Sequence, residues 1–131
     1  MTRFTMTANK SIPLAVPEGY YVFLQATTMA GFKIGFTVRD AEGGTAYFDE
    51  SRQSLNPLPP LAAFFQSHAS ALELFVDIPQ SQQIDIRMDS MDIADEKGNL
   101  ILRTISIAGE DWTDKDYNDL LVTVTACKSN H

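Results

Sequence analysis

The chain has 131 residues, of which 44% are hydrophobic, and a formal net charge of −7 at pH 7. This length suffices for a buried core, and we expect a single domain over residues 1–131. The 10 basic side chains are outnumbered by 17 acidic ones, which excludes the basic stripe that nucleic-acid binding needs. The one cysteine, Cys127, excludes a disulfide within the chain. We expect a free thiol at a strand end, with an intermolecular disulfide as the alternative.

The N-terminal residues, from Met1 to Thr5, alternate in polarity and lack the apolar segment of a signal peptide. No stretch of the chain approaches the roughly 20 consecutive apolar residues that a membrane span needs. We therefore expect no membrane span and synthesis in the cytoplasm. Release to the cell surface or outside, by a route that needs no signal peptide, is left open.

Alternation of apolar and polar residues dominates the first half of the chain and predicts short β-strands. Residues 20–26 alternate in this way, and residues 32–38 do so most clearly. Two glycines in residues 40–44 favour a hairpin connection, from which the chain returns over residues 45–48. The apolar residues 61–65 are too few to assign by their period, and they fit either a short helical turn or an apolar plug.

The second half of the chain predicts four further strands by the same alternation. They cover residues 72–78, 84–88, 100–107 and 120–126. After Met88 the apolar phase slips to Met91 and Ile93, which predicts a bulge near Ser90. About eight to nine short strands at this spacing predict an all-β fold, an antiparallel β-sandwich. An acidic loop joins the last two of these strands.

That loop, residues 110–119, has the sequence EDWTDKDYND and concentrates five carboxylates and one carboxamide against a single lysine. Like charges at this density repel one another unless a cation lies among them. Calcium fits best, because it binds six to eight oxygen ligands in a tolerant geometry. The segment contains no His or Cys, which disfavours zinc and copper. A solvated acidic turn is the alternative.

The loop does not have EF-hand spacing. An EF-hand loop that began at Asp114 would need Gly at position 119 and Glu at position 125, where the chain has Asp119 and Thr125. Because both flanking segments alternate as strands do, we expect a metal loop within a β-hairpin. A second acidic group is interpreted as an exposed strand face and turn; its members are Asp89, Asp92, Asp95 and Glu96.

Residues 109–119, with the sequence GEDWTDKDYND, resemble the calcium loop of the fucose-binding lectin II family. The members of that family are small bacterial β-sandwich lectins that hold two adjacent calcium ions and bind fucose or mannose directly through them. The match is dense within this loop, and upstream it concerns only the order of the strands. The resemblance therefore implies a lectin fold, bound calcium and a carbohydrate ligand.

The resemblance also implies a set of calcium ligands that all carry side-chain oxygen atoms. In this chain they are Glu110, Asp114, Asp116, Asn118 and Asp119. Glu110 and Asp114 would bind the first ion and Asn118 the second. Asp116 and Asp119 would bind both ions, so that their carboxylates bridge the pair.

The same resemblance places Asp111 and Thr113 at sugar-contacting positions. Trp112 stands where the family has Gly, and its flat indole would either stack on a sugar face or cover the site. The first turn between strands, residues 27–31, lacks the Asn ligand of the family. The chain also extends a couple of residues past the position of the family's terminal Gly, with residues 128–131 at its end. We therefore expect one or two calcium ions.

These observations favour a calcium-dependent carbohydrate-binding protein, a lectin that recognises the diols of fucose or mannose. The alternative is a calcium-stabilised structural or adhesion β-sandwich without a sugar site. We do not expect an enzyme, because a bound cation would keep the clustered acids ionised, and no Ser-His-Asp or Cys-His arrangement is visible.

The resemblance further implies a homodimer or homotetramer. We expect the apolar C-terminal strand to pair across a two-fold axis. Since cytosolic calcium is too scarce to fill most such sites, we expect the protein to act outside the cell.

Overall fold

Nine β-strands make up the described part of the chain. A computed structural model describes residues 8–68, 71–81, 83–110 and 119–129. The strands are β1 (Ala8–Leu14), β2 (Tyr21–Thr28), β3 (Ala30–Asp40), β4 (Ala46–Ser54), β5 (Leu61–Gln66), β6 (Leu72–Ile78), β7 (Asp85–Ala94), β8 (Leu100–Glu110) and β9 (Leu120–Cys127). Among the described residues, no helix has the length and apolar character that crossing a membrane requires.

The strands form two antiparallel sheets. One sheet has four strands in the order β1-β6-β3-β4, and the other has five in the order β5-β2-β9-β8-β7. The predicted all-β antiparallel sandwich is therefore confirmed. The C-terminal strand β9 lies between β2 and β8 and is paired along both of its edges. The expectation that this strand pairs with a second copy across a two-fold axis is thus wrong, because it has no unpaired edge.

The core is formed by the inward-facing residues of both sheets. Strand β6 is typical, since Leu72, Leu74, Val76 and Ile78 are buried while the residues between them are partly exposed. Such alternation is what a strand with one covered face requires. Apolar alternation in the sequence therefore locates the core-facing positions correctly along most of the chain.

Two segments differ from the sequence-based expectations. Residues 61–65, expected to be a helical turn or a plug, form most of β5 and pair with β2. Strand β7 has no bulge near Ser90; its register with β8 is unbroken from Asp85 to Ile93 and shifts only between Ile93 and Ala94. The apolar phase slips because Met91 and Ile93 are 64% and 50% exposed on the outer face, not because the backbone changes phase.

Glycines at positive φ close one hairpin in each sheet. Gly44, with φ +75°, ends the β3–β4 turn, where its N–H donates to the carbonyl oxygen of Asp40 at 2.9 Å. Gly98, with φ +84°, lies in the β7–β8 turn, where its N–H donates to the carbonyl oxygen of Asp95 at 3.0 Å. Glycine adopts this backbone region without steric cost, and the hairpin predicted at residues 40–44 is confirmed.

Candidate functional site

The structure describes two of the eight predicted site residues. Glu110 is the last residue of β8, and Asp119 immediately precedes β9. The other six lie outside the described residues, and their predicted roles remain predictions. They are Asp111, Trp112, Thr113, Asp114, Asp116 and Asn118.

The pairing of β8 with β9 brings Glu110 and Asp119 to the same place. Gly109 pairs with Leu120, and the backbone N–H of Asp119 donates to the carbonyl oxygen of Gly109 at 3.1 Å. Glu110 and Asp119 directly follow and precede this last strand pair. The predicted metal loop therefore starts and ends on neighbouring strands, and both of its ends carry a carboxylate.

Both carboxylates are buried. Glu110 is 1% exposed and Asp119 is 8% exposed. Burying an ionised carboxylate is costly unless hydrogen bonds, an opposite charge or a metal ion compensates the lost hydration. A hard cation with oxygen ligands is one way to compensate that cost.

Gly109 sets how closely the two strands approach at the mouth of the loop. An added Cβ at this position would lie 2.6 Å from Cγ of Leu120 and 3.0 Å from Cδ1 of Ile86. Leu120 is fully buried, so it has no room to move away. In the sequence, Gly109 is noticeable only as part of the motif that resembles the lectin family. Its role in the close packing of β8 against β9 is visible only in the folded chain.

The turn between β2 and β3 lies against the same end of the loop. The backbone N–H of Met29 donates to the carbonyl oxygen of Asp119 at 3.0 Å. Thr28 pairs with Leu120 and is fully buried, and its Oγ1 finds no hydrogen-bond partner among the described residues. The turn that lacks the Asn of the family thus holds the start of β9 by a backbone contact, which no side-chain pattern could have predicted.

The second acidic group has structural partners of its own. Asp92 accepts two hydrogen bonds from the guanidinium group of Arg103, each 2.8 Å long. This bonding lowers the pKa of the Asp92 carboxyl below its usual value. Asp95 accepts hydrogen bonds from the backbone N–H groups of Lys97 and Asn99, both at 2.9 Å, which also lower its pKa. The interpretation of this group as a strand face and a turn is consistent with these contacts.

No group of three or more His, Cys, Asp or Glu side chains is arranged to hold a metal ion within residues 8–68, 71–81, 83–110 and 119–129. The two described acids of the loop therefore need further ligands to bind a cation. The residues predicted to supply those ligands lie between them in the sequence.

Comparison with known proteins identifies the fold. No family model and no curated protein matches the chain. Among solved structures, the Ralstonia solanacearum high-affinity mannose-binding lectin superposes with a TM-score of 0.68 at 16% identity, over 88% of this chain and 93% of its own. The C-terminal domain of the BC2L-C lectin from Burkholderia cenocepacia gives a TM-score of 0.69 at 16% identity, over 92% and 97%.

A third lectin, CV2L from Chromobacterium violaceum in complex with α-methyl-fucoside, gives a TM-score of 0.68 at 15% identity, over 88% of this chain and 93% of its own. At such low identity the likeness concerns the fold alone. The chain therefore shares its fold with these solved structures of bacterial lectins.

Proposed function

We propose that the chain is a calcium-dependent carbohydrate-binding protein, a lectin that recognises fucose, mannose or sugars with similar diols. The observation that carries the proposal is the pair of buried carboxylates, Glu110 and Asp119, held on neighbouring strands at the two ends of the acidic segment. A bound cation would help to compensate the lost hydration of these carboxylates, and the segment between them is rich in the oxygen ligands that calcium prefers.

Five residues would hold one or two calcium ions. They are Glu110, Asp114, Asp116, Asn118 and Asp119. When bound, calcium would offer coordination positions to a vicinal diol of the sugar. Asp111 would accept hydrogen bonds from the remaining hydroxyl groups of the sugar, and Thr113 would exchange hydrogen bonds with them. Trp112 would lie against the apolar face of the sugar ring.

The similar structures support the choice of ligand. One is a mannose-binding lectin, and another is a lectin in complex with α-methyl-fucoside. Lectins bind sugars without turning them over, and we propose the same for this chain. We further propose a homodimer or homotetramer that acts outside the cell, where calcium is abundant. Its detection in culture medium or on the cell surface would test the location, and a strictly cytosolic protein would contradict it.

Calorimetric titration of calcium into chelator-stripped protein tests the metal site. We expect one or two ions per chain, bound more tightly when fucose or mannose is present, because sugar and metal share ligands. A titration with galactose serves as a sugar control. If calcium does not bind at all, the acidic segment is a solvated turn and the proposal fails.

The Glu110→Gln variant tests the role of the buried carboxylate. Gln keeps the size of the side chain but loses the charge, so we expect calcium affinity to fall about ten-fold or more. Glu50→Gln is the matched control, since Glu50 is exposed on β4 in the other sheet and should leave calcium affinity unchanged. Equal affinities of the two variants would remove Glu110 from the site.

The second candidate is a calcium-stabilised structural or adhesion domain without a sugar site. It is favoured by the turn beside Asp119, which reaches Asp119 through the backbone N–H of Met29 and lacks the Asn of the family. Calcium that raises the melting temperature while a glycan array shows no hit would support this candidate. A glycan hit that disappears with chelator would rule it out in favour of the lectin.

A further inference from the structure

The connection between β4 and β5 holds apolar side chains at the surface. Residues 55–60, which we call the proline segment, have the sequence LNPLPP and are all exposed. Leu55 is 73% exposed and Leu58 is 46% exposed. The segment carries no charge, and Asn56 is its one residue with a polar side chain. Its surface therefore suits an apolar group better than a sugar hydroxyl.

Hydrogen bonds fix the backbone of the proline segment, although it belongs to no strand. The guanidinium group of Arg52, on β4, donates to the carbonyl oxygen of Pro59 at 2.7 Å. On the other side, Oγ1 of Thr27, on β2, donates to the carbonyl oxygen of Leu58 at 3.4 Å. The segment is thus tied to both sheets of the sandwich.

The prolines restrict the same backbone further. Pro57, Pro59 and Pro60 each fix φ at about −65°. Asn56 and Leu58 each precede a proline, which disfavours the helical region for them. The segment therefore loses little conformational entropy when a ligand binds to it, and its exposed leucines are held ready for a contact.

The proline segment lies at the same end of the sandwich as the proposed calcium site. Leu61, the first residue of β5, pairs with Ala26 near the end of β2. Leu120, the first residue of β9, pairs with Thr28 at the end of the same strand. Because neighbouring strands are about 4.8 Å apart, β5 and β9 begin roughly 10 Å from each other, on either side of β2.

The turn between β2 and β3 joins the proline segment to the start of β9. The backbone N–H of Met29 donates to the carbonyl oxygen of Asp119 at 3.0 Å. Within the same turn, a Cβ at Gly31 would lie 3.9 Å from Cδ2 of Leu55. A ligand held at Asp119 therefore has an apolar surface beside it, across a single turn.

We propose that the proline segment binds an apolar group attached to the sugar. The ligand of this chain is then a glycoside with an aryl or alkyl substituent, and not a free monosaccharide. Calcium would hold the sugar, and the substituent would extend across the turn onto Leu55 and Leu58, where burial of apolar surface stabilises the complex. The inference rests on the proposed function, since only a sugar bound near Asp119 would direct its substituent to this segment.

Calorimetric titration with the methyl, phenyl and hexyl glycosides of mannose and fucose, in the presence of calcium, tests the inference. The methyl glycoside is too short to cross the turn and measures the sugar site alone. We expect the phenyl or the hexyl glycoside to have a Kd about three- to ten-fold lower. A gain for phenyl supports an aromatic substituent, and a gain for hexyl supports a lipid chain.

The same titration separates the two proposals. If the methyl glycoside binds and all three Kd values are equal, the inference is overturned and the proposed function stands. If no glycoside binds in the presence of calcium, both fail.

Leu55→Ser and Leu58→Ser assign the gain to the proline segment. Each should lower the Kd ratio of the methyl to the longer glycosides at least two-fold, while the Kd of the methyl glycoside stays unchanged. Ile93→Ser is the matched control and should keep the wild-type ratio. Ile93 is 50% exposed and lies near the far end of β7 from Asp85, which pairs with Glu110.

Circular dichroism and a melting curve establish that each variant is folded. If both leucine variants keep the full ratio, another apolar residue binds the substituent and the inference is wrong.

Discussion

The two sheets of the sandwich present similar inner faces and very different outer faces. On the four-stranded sheet, Arg39 forms an ion pair with Glu73 at 2.8 Å, and its guanidinium lies 4.6 Å above the ring of Phe75. On the five-stranded sheet, Phe23 and Phe64 have no such cover among the described residues and are about half exposed. Both sheets thus carry outward aromatic side chains, but only the four-stranded sheet shields one with a charge.

This difference distinguishes what the fold requires, an apolar inner face on each sheet, from an apolar outer face that the fold does not require. A β-sandwich needs one apolar face per sheet, and a solvated outer face is normally polar. The four-stranded sheet follows this rule and covers Phe75 with a cation–π contact. The five-stranded sheet departs from it and also ends at the buried acids Glu110 and Asp119. The exposed aromatic side chains and the proposed calcium site therefore belong to one sheet.

The largest effect is expected on the free energy of unfolding when one glycine in each sheet is replaced by alanine. Gly109→Ala on the five-stranded sheet should lower the free energy of unfolding by about 1–3 kcal/mol, because a Cβ would overlap the buried side chain of Leu120. Gly35→Ala on the four-stranded sheet is the control, since its Cβ would lie 3.5 Å from the carbonyl oxygen of Asp77, an ordinary contact. It should be neutral or stabilise the fold by about 0.4–1 kcal/mol through the unfolded chain.

Urea unfolding of both variants measures this contrast. If Gly109→Ala and Gly35→Ala have equal free energies of unfolding, β8 and β9 can separate at Gly109 without cost. The close approach of the two strands would then not contribute to stability. Calcium titration of Gly109→Ala adds a second comparison. We expect weaker binding in this variant, because a wider separation of β8 and β9 at Gly109 would move Glu110 away from Asp119.

A smaller effect is expected when the guanidinium group above the ring of Phe75 is removed. Arg39→Met should lower the free energy of unfolding by about 0.5–1.5 kcal/mol, since it removes the ion pair with Glu73 and the cation above the ring. Lys33→Met, at an exposed position of the same strand, is the control and should change stability little. Equal losses in the two variants would mean that the charge, and not the contact with Phe75, matters on this face.

The smallest effect concerns the ion pair of the five-stranded sheet. Arg103 lowers the pKa of the Asp92 carboxyl by hydrogen bonding, so the pair contributes stability above the usual carboxyl pKa of 3.8 and loses it as the pH falls through the lower folded-state pKa. Arg103→Gln should therefore be less stable than the wild-type protein at pH 6, and the difference should shrink below pH 4.

Thermal unfolding between pH 7 and pH 2 measures this dependence. Arg52→Gln is the control, because Arg52 donates to the carbonyl oxygen of Pro59, which does not titrate. Its stability difference should stay constant over this range. A constant difference for Arg103→Gln as well would show that Asp92 does not carry the pH dependence.

The sequence predicts the fold well because alternation reports burial directly. Residues 72–78 are a strand with the predicted bounds, and residues 32–38 form the centre of β3. Alternation misleads where apolar residues are exposed, as with Met91 and Ile93 on β7. Alternation also makes no prediction for residues 61–65, which form a strand because they pair with β2 and not because of their own pattern. Local patterns fail there because the deciding contact is distant in sequence.

By itself, the sequence determined an all-β sandwich and an acidic segment between its last two strands, since alternation and charge density are local properties. It also supplied the resemblance on which the roles of Asp114, Asp116 and Asn118 depend. Only the tertiary structure decided that Glu110 and Asp119 are both buried, that Met29 holds the start of β9, and that one outer face is left apolar. These features depend on which strands become neighbours, and strand order is fixed by packing across the whole core.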